Sequence, residues 1–181
     1  MKKLLESLSD MFQSKDSGIF RQIPLNVPGG LFTSPMPYGA YDPSNRLMKV
    51  FKKHHINHVI MLVTDKELEK KARRNIMKEY EKNGIGFSRF IINDFQAPSV
   101  EVIDGLVKEA IDRLNNKERI LIHCHAGVGR TSVSASCVTI AIENMTAEEA
   151  IKHVKANMMV NITSEQIRLI NKFEESLKLK N

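Results

Sequence analysis

Two hydrophobic periods alternate along most of the chain. Short apolar runs such as 58–64 (HVIMLVT) and 119–124 (RILIHC) have the length and β-branched content of buried strands. Between Ser99 and Asn115, apolar residues instead recur at every third or fourth position and give the segment one apolar face. Repeated along the chain, this alternation predicts an α/β fold with a mostly parallel central sheet and helices on both faces.

The same patterns predict the remaining elements. Ser44 is the predicted N-cap of a helix that runs to residue 55. Two helices are predicted to begin at the capping boxes of Thr146 and Thr163. A small and apolar segment after residue 131 is expected to be a central helix buried on several sides. The other predicted elements are strands at 31–35 and 86–94 and helices at 66–82 and 132–144.

The first 28 residues differ from the rest of the chain. An apolar stripe at helical spacing within residues 4–12 predicts an amphipathic helix, and a proline-containing segment follows it. We therefore expect residues 1–28 to form a helical and extended arm packed on a body of residues 29–181. A membrane-surface or partner-binding role is the alternative for the arm, because an amphipathic helix suits either purpose.

Composition limits the class of protein. With 181 residues, 42% of them hydrophobic, the chain is large enough for one folded domain. Its longest apolar run, at 59–63, is far shorter than the roughly 20 residues of a membrane span, and the first residues lack the apolar stretch of a signal peptide. Cys124 and Cys137 are too few for a disulfide framework. We therefore expect a cytoplasmic monomer with free thiols and no transmembrane segment.

The net charge favours anionic ligands. There are 27 Lys and Arg against 21 Asp and Glu, which gives a formal charge of +6. Phosphorylated substrates, nucleic acid and acidic lipid all satisfy this condition. The choice among them depends on the chemistry of a candidate site.

The strongest chemical signal is IHCHAGVGRTS, residues 122–132, where a predicted strand turns into the predicted central helix. The first amides of a helix lack intrahelical partners and point into such a turn, so the turn attracts anions. Glycines in the turn let successive amides converge on one phosphate, and an arginine adds a fork of donors. The residues expected to bind phosphate are His125, Ala126, Gly127, Val128, Gly129 and Arg130.

Cys124 lies at the mouth of this turn, where the positive environment favours the thiolate. A thiolate beneath a bound phosphate is positioned for in-line attack, and the product would be a cysteinyl-phosphate that water then hydrolyses. Thr131 or Ser132 is expected to hydrogen-bond the sulfur and ease its departure. His123 is expected to set the end of the strand and to support the thiolate through hydrogen bonding.

A metal site is the alternative interpretation of His123, Cys124 and His125. Neighbouring residues point apart, and the sequence offers no partner ligand pair with zinc spacing. We therefore expect neither a metal nor another cofactor. His125 is assigned to the rim of the phosphate site, where it would tune substrate choice or pH response.

His123-Cys124, five further residues and then Arg130-Thr131 resemble the signature of the protein tyrosine phosphatase superfamily. The layout of residues 30–175 resembles the small dual-specificity branch of that superfamily. The resemblance implies a protein tyrosine phosphatase-like fold and makes 29–181 a dual-specificity phosphatase-like catalytic domain. It also implies hydrolysis of phosphate monoesters on protein tyrosine and serine or threonine.

Asp94 is the predicted general acid. The leaving group of a phosphate ester needs a proton, so a carboxyl group must face the phosphate site. Asp94 ends a predicted strand between Ile92 and Phe95, and apolar surroundings favour a protonated carboxyl group. With Pro98 a few residues later, the segment also resembles the mobile acid loop of dual-specificity phosphatases.

Other polar residues are secondary candidates. Glu101 and Asp104 are rivals of Asp94, but they fall in the first turn of a predicted helix, where the helix dipole accounts for them. Asp94 itself is alternatively a turn residue that caps this helix. The resemblance places Gln166 near the hydrolytic water and leaves Glu165 as an alternative aid to proton transfer, although Gln166 also completes a capping box.

The expected partner is a phosphorylated protein. The same cysteine chemistry on a phosphoinositide or an RNA 5′ phosphate is the first alternative, although residues 125–129 include no lysine of the kind found in lipid-phosphate relatives. A binding module that captures phosphorylated partners without turnover is the second alternative. No DNA partner is expected.

Overall fold

The computed structural model describes residues 18–180, so the predicted helix within residues 4–12 lies outside the described residues. Five strands form one sheet in the order β1-β2-β5-β3-β4. Only β1 is antiparallel to its neighbour, so the mostly parallel sheet is confirmed. The strands are β1 (Arg21–Ile23), β2 (Gly30–Ser34), β3 (His58–Met61), β4 (Gly86–Arg89) and β5 (Arg119–His123).

Seven helices connect and cover the strands within the described residues. They are α1 (Leu47–Lys53), α2 (Asp65–Lys71), α3 (Ile76–Lys82), α4 (Val100–Asn115), α5 (Arg130–Glu143), α6 (Ala147–Asn157) and α7 (Ser164–Lys180). None of the helices in this part of the chain is both long and apolar enough to cross a bilayer.

The two faces of the sheet bury two hydrophobic clusters. Successive side chains of a strand point to opposite faces, so Ile60 joins one cluster while Val59 and Met61 join the other. The first cluster packs against α4, α5, α6 and α7, and the second against α1 and α3. Helices on both faces are therefore confirmed.

Parallel pairing brings three strand ends to one edge of the sheet. Ser34 of β2 and Met61 of β3 both pair with His123 of β5 in the register of the ladders. The residues after these strands therefore meet at the carboxyl edge, where ligands bind in open parallel sheets. This edge positions the candidate site.

The predicted charged helix 66–82 is wrong as a single element, because the structure breaks it into α2 and α3. Ala72 is extended, with ψ of 131°, and the Arg73 amide donates to the Tyr38 carbonyl rather than continuing the helix. The Asn75 side chain then accepts from the Lys78 amide and caps α3. The bond from Arg73 to Tyr38 and the Asn75 cap thus override helix propensity in this segment.

The predicted Ser44 cap is also wrong. Helix α1 begins at Leu47, and the buried carboxylate of Asp42 accepts from the amides of Tyr38, Arg46 and Leu47. The two oxygens of one carboxylate therefore accept from all three amides, whereas the single oxygen of a serine hydroxyl has fewer acceptor sites.

Part of the predicted arm is an edge strand of the sheet. Residues 21–23 form β1, which pairs with β2 from Arg21 opposite Thr33 to Ile23 opposite Leu31. Ile23 is buried in the core. The division into an arm of residues 1–28 and a body of residues 29–181 stays a prediction.

We expect Asp42→Ala to lower the free energy of unfolding by about 2 kcal/mol, because it leaves buried amides without an acceptor. Ser44→Ala is the matched control on the same exposed loop and should change stability by less than about 0.5 kcal/mol. Chemical denaturation of both variants checks this. If Ser44→Ala lowers the free energy of unfolding more than Asp42→Ala does, Ser44 is the cap of this helix and Asp42 is not.

Candidate active site

The loop between β5 and α5 forms a tight turn around Cys124, whose side chain is buried. Gly127 has φ of +77°, and a Cβ atom there would lie 2.6 Å from the Ser34 carbonyl oxygen and the Pro35 nitrogen. Only glycine suits both the backbone conformation and the space. The loop is held from outside by the Met36 amide, which donates to the His125 carbonyl.

Backbone donors surround the sulfur. The Gly127 amide lies 3.3 Å from Cys124 Sγ as a hydrogen-bond donor. In the described chain, the amides of Ala126, Val128 and Gly129 donate to no protein acceptor. These amides precede the N-terminus of α5, so they are available to an anion that also benefits from the helix dipole.

The two hydroxyls after Arg130 have structural partners. Thr131 Oγ1 accepts from the Cys124 amide at 2.9 Å, and Ser132 Oγ donates to the Val128 carbonyl at 2.6 Å. The sequence predicted that one of these hydroxyls bonds the Cys124 sulfur, but within residues 18–180 neither oxygen has the sulfur as its partner. Both instead fix the loop at its ends.

Arg130 is buried and paired with a residue that the sequence did not single out. Its Nη1 and Nη2 donate to the two carboxylate oxygens of Glu67 at 2.8 and 2.7 Å, and Nη1 also donates to the Ile92 carbonyl. Its Nε has no partner in the described structure. The guanidinium is therefore held rigidly along one side and keeps a donor available.

Glu67 is itself positioned by a capping box at the start of α2. Thr64 accepts from the Glu67 amide, and the Glu67 carboxylate accepts from the Thr64 amide. Burial would raise the pKa of Glu67, but hydrogen bonds from Arg130 and Thr64 and the charge of Arg130 lower it to about 2. The Thr64-x-x-Glu67 pattern predicts this cap, yet nothing in it indicates the contact with Arg130.

Asp94 faces the same guanidinium. Its Oδ1 lies 3.0 Å from Arg130 Nη2, and its Oδ2 lies 3.5 Å from Lys71 Nζ. The side chain is 40% exposed, and the neighbouring Phe95 points into solvent. The expectation of apolar surroundings is therefore wrong, because the Asp94 carboxyl group lies between two cationic side chains and is partly open to solvent.

His123 is a buried neutral side chain with two partners. Its Nδ1 donates to the Cys124 carbonyl at 3.0 Å, so its Nε2 accepts from the Tyr80 hydroxyl at 2.9 Å. Burial lowers the pKa of His123 to about 4, although the bond to the Cys124 carbonyl opposes this. His123 thus bonds the backbone beside the sulfur rather than the sulfur, and Tyr80 is a second residue that the sequence did not indicate.

His125 lies on the rim, where the sequence placed it. It makes an edge-on contact with the ring of Tyr41, with ring centroids 5.2 Å apart. Burial, and then the charge of Lys71, lower the pKa of His125. In the described chain its Nε2 has no partner.

A cavity of about 250 Å³ opens above Cys124. Asp94, Arg130 and Gln166 line it, and the Gln166 amide nitrogen donates to the Gln96 carbonyl in the loop that contains Asp94. Glu165 is exposed beside Arg168 and does not line the cavity. The other lining residues are Tyr41, Phe95, Cys124, His125, Ala126, Val128, Gly129, Asn161 and Thr163.

The described residues contain no cluster of three side chains suited to a metal ion. Cys137 is free, buried in α5 and carries a thiol whose pKa is raised by burial above its usual value. The Cys124 sulfur, the Arg130 guanidinium and the Asp94 carboxyl group belong to residues that line the same cavity.

Comparison with known families identifies the class of protein. Residues 37–144 match the family described as Tc-R-P, polymorphic toxin system, DSP-PTPase phosphatase. The match covers more than half of the chain, so the chain belongs to this dual-specificity phosphatase family. The resemblance seen in the sequence is confirmed.

One curated relative is protein tyrosine phosphatase domain-containing protein 1 of Bos taurus, which is 30% identical over 140 residues. The match covers 72% of the chain but only 18% of that protein. The chain thus spans less than a fifth of the length of this relative.

Solved structures show the same fold. Kinase associated phosphatase with its catalytic-site cysteine replaced by serine superimposes with a TM-score of 0.79 at 20% identity, over 91% of this chain and 98% of that chain. PTPMT1 in complex with PI(5)P gives a TM-score of 0.74 at 16% identity, over 89% and 97% of the two chains. The predicted protein tyrosine phosphatase-like fold is confirmed.

We expect Glu67→Gln to lower the free energy of unfolding by about 3 kcal/mol, because it removes a charged partner from a buried guanidinium. Phosphatase activity should fall roughly 10- to 100-fold as the guanidinium loses its fixed position. Glu69→Gln, on the exposed face of the same helix, is the control and should be neutral in both assays.

The Glu67→Gln variant should also differ from the unmodified protein in how its folding stability depends on pH in acid. A carboxyl group whose pKa is depressed in the folded state stabilises the fold above its unfolded pKa, here about 4.5, and this stabilisation is lost as pH falls towards 2. Stability of the unmodified protein should therefore decline through this range more steeply than that of Glu67→Gln. Equal slopes in acid denaturation would contradict the ion pair.

Proposed function

We propose that the protein is a cysteine-dependent phosphatase that hydrolyses phosphate monoesters of protein tyrosine and serine or threonine. The observation that carries this proposal is that Cys124, Arg130 and Asp94 line one cavity, with free loop amides beside the sulfur. The loop amides and Arg130 Nε are donors suited to the oxygens of a phosphate dianion.

In the first step, the Cys124 thiolate attacks phosphorus in line with the ester oxygen. A sulfur–phosphorus bond forms and the phosphorus–oxygen bond of the ester breaks. Asp94, in its protonated form, gives its proton to the departing oxygen. The products of this step are the free hydroxyl of the substrate and a cysteinyl-phosphate.

In the second step, water attacks the cysteinyl-phosphate. The Asp94 carboxylate accepts a proton from the water, the sulfur–phosphorus bond breaks, and inorganic phosphate and the thiolate are released. Gln166 is proposed to orient the water, because its side chain lines the cavity and bonds the Gln96 carbonyl near Asp94. Glu165 is too exposed for this role in the present conformation.

Substrate binding is proposed to prepare the acid. In the free protein the Asp94 carboxylate is paired with Arg130 and Lys71. A bound phosphate dianion competes with Asp94 for the Arg130 guanidinium, and its own charge favours protonation of a nearby carboxyl group. Displacement of Asp94 by phosphate would thus convert it from an ion-pair partner into a proton donor.

A phosphoinositide is the second candidate substrate. The observation in its favour is the structural similarity to PTPMT1, whose structure was determined with PI(5)P. At 16% sequence identity, however, the similarity to PTPMT1 shows only a shared fold. Loop residues 125–129 also include no lysine that could pair with further phosphates of an inositol ring. We therefore place protein substrates first.

Cys124→Ser should reduce turnover at least about 1,000-fold while retaining affinity for phosphate esters, because the pocket persists without its nucleophile. Phosphate release from phosphopeptides, water-soluble phosphoinositides and 5′-phosphorylated RNA, together with calorimetric binding, checks this. The unmodified protein should prefer the phosphopeptides. Binding with no turnover by the unmodified protein would instead indicate a capture module.

Asp94→Asn should slow the first step by roughly 10²- to 10⁴-fold for phosphoserine peptides, whose alkoxide leaving groups need a proton. The loss should be much smaller for aryl phosphates with acidic phenols. Glu101→Gln, at an exposed position on α4, is the control and should retain activity on both substrates. An equal loss of activity on both substrates in Asp94→Asn would remove Asp94 from the role of acid.

A further inference from the structure

A second cavity lies beside the phosphate site, and none of the proposed chemical steps uses it. Its volume is about 360 Å³. It lies between the start of β1, the end of β2 and the segment after α6, because antiparallel pairing brings Arg21 opposite Thr33. We call this cavity the apolar groove, and its walls include Ile19, Pro35, Tyr41, Met158 and Met159.

The apolar groove is continuous with the phosphate site. Tyr41, Ala126 and Val128 line both cavities. Two of these residues belong to the phosphate-binding loop, so a group in the groove lies next to a phosphate held by that loop. When the phosphate of a ligand binds the loop, the neighbouring part of the ligand therefore lies in the groove.

Three of the apolar side chains that line the groove are substantially exposed. Met159 is 75% exposed, Tyr41 49% and Ile19 42%. Contiguous exposed apolar side chains mark binding surfaces. Flexible, polarizable methionines such as Met158 and Met159 adapt to apolar groups of different shape.

The charges around the groove indicate whether its apolar ligand is a protein side chain or the acyl chain of a lipid. Anionic membrane surfaces are bound by clusters of lysine and arginine. Among the described residues that line the groove and the phosphate site, the only lysine or arginine side chains are Arg21 and Arg130, and Arg130 is buried in ion pairs. This distribution favours an apolar side chain of a protein over the acyl chain of a lipid.

We propose that the apolar groove binds an apolar side chain that lies next to the phosphorylated residue of a protein substrate. The proposal rests on the proposed phosphatase function and adds the substrate class, which is phosphopeptides with an apolar flanking residue. The phosphate supplies the anchor in the loop, and burial of the apolar side chain against Met159, Tyr41 and Ile19 supplies selectivity.

The test uses the full chain and phosphotyrosine peptides in which one leucine is moved through the flanking positions of an otherwise polar sequence. At one position, leucine should raise kcat/KM about 10- to 100-fold over serine, the range expected for burying one apolar side chain. Met159→Asn, which places a polar amide at an exposed wall of the groove, should reduce this leucine-to-serine ratio to about 1.

The control variant is Leu179→Asn, because Leu179 is, like Met159, a mostly exposed apolar residue but does not line the groove. Its leucine-to-serine ratio should equal that of the unmodified protein. A small aryl phosphate, which reaches only the phosphate site, reports on the proposed function separately. No hydrolysis of the aryl phosphate would overturn the phosphatase proposal, whereas hydrolysis with no leucine preference would overturn the groove proposal alone.

Two further outcomes would overturn the groove proposal. The first is a groove-dependent preference for dioctanoyl over dibutanoyl phosphatidylinositol 5-phosphate without a leucine preference, which would assign the groove to a lipid acyl chain. The second is an equal change in KM for every substrate in Met159→Asn, including the aryl phosphate. That result would mean that Met159 acts on the phosphate site, which all the substrates share, and not on a separate subsite.

Discussion

The buried pair of Arg130 with Glu67 is the constraint on which the site depends. A guanidinium removed from water is costly unless its charge is matched and its donors are satisfied. Glu67 supplies both conditions at one side of the group, and the Ile92 carbonyl supplies another acceptor. Arg130 Nε has no partner in the described structure, and the proposed function assigns it to a phosphate oxygen, so one side chain would combine a stabilising contact with a functional one.

This pair also joins elements that are distant in sequence. Glu67 belongs to α2, which follows β3, whereas Arg130 begins α5, which follows β5, and Ile92 follows β4. These strands are neighbours in the sheet, and their carboxyl ends meet at one edge. The parallel sheet therefore does more than supply a core, because it sets the separation between the loop that follows β5 and the residues that bind Arg130.

Local signals in the sequence predicted much of this arrangement. The strand-to-helix turn at Cys124, the capping boxes and the alternating strands and helices depend on residues that are near one another in the chain, and the structure has each of them. Glu67 and Tyr80 escaped notice because their partners, Arg130 and His123, are 63 and 43 residues away. The break at Ala72 was not predicted because it depends on the bond from Arg73 to the distant Tyr38. The capping role of Asp42 was not predicted because the nearby Ser44 offers competing local capping chemistry.

The absence of space beside Gly127 limits how this scaffold can diversify. A Cβ atom at Gly127 would lie 2.6 Å from backbone atoms of Ser34 and Pro35, which is well inside van der Waals contact, so that position is closed to any larger residue. Ile19, Tyr41 and Met159, by contrast, have side chains that reach solvent and take no part in the buried charge network. Ile19 and Met159 can therefore vary without any change in the backbone at Gly127 or in the pair of Arg130 with Glu67, so the surface beside the loop is free to change while its frame stays fixed.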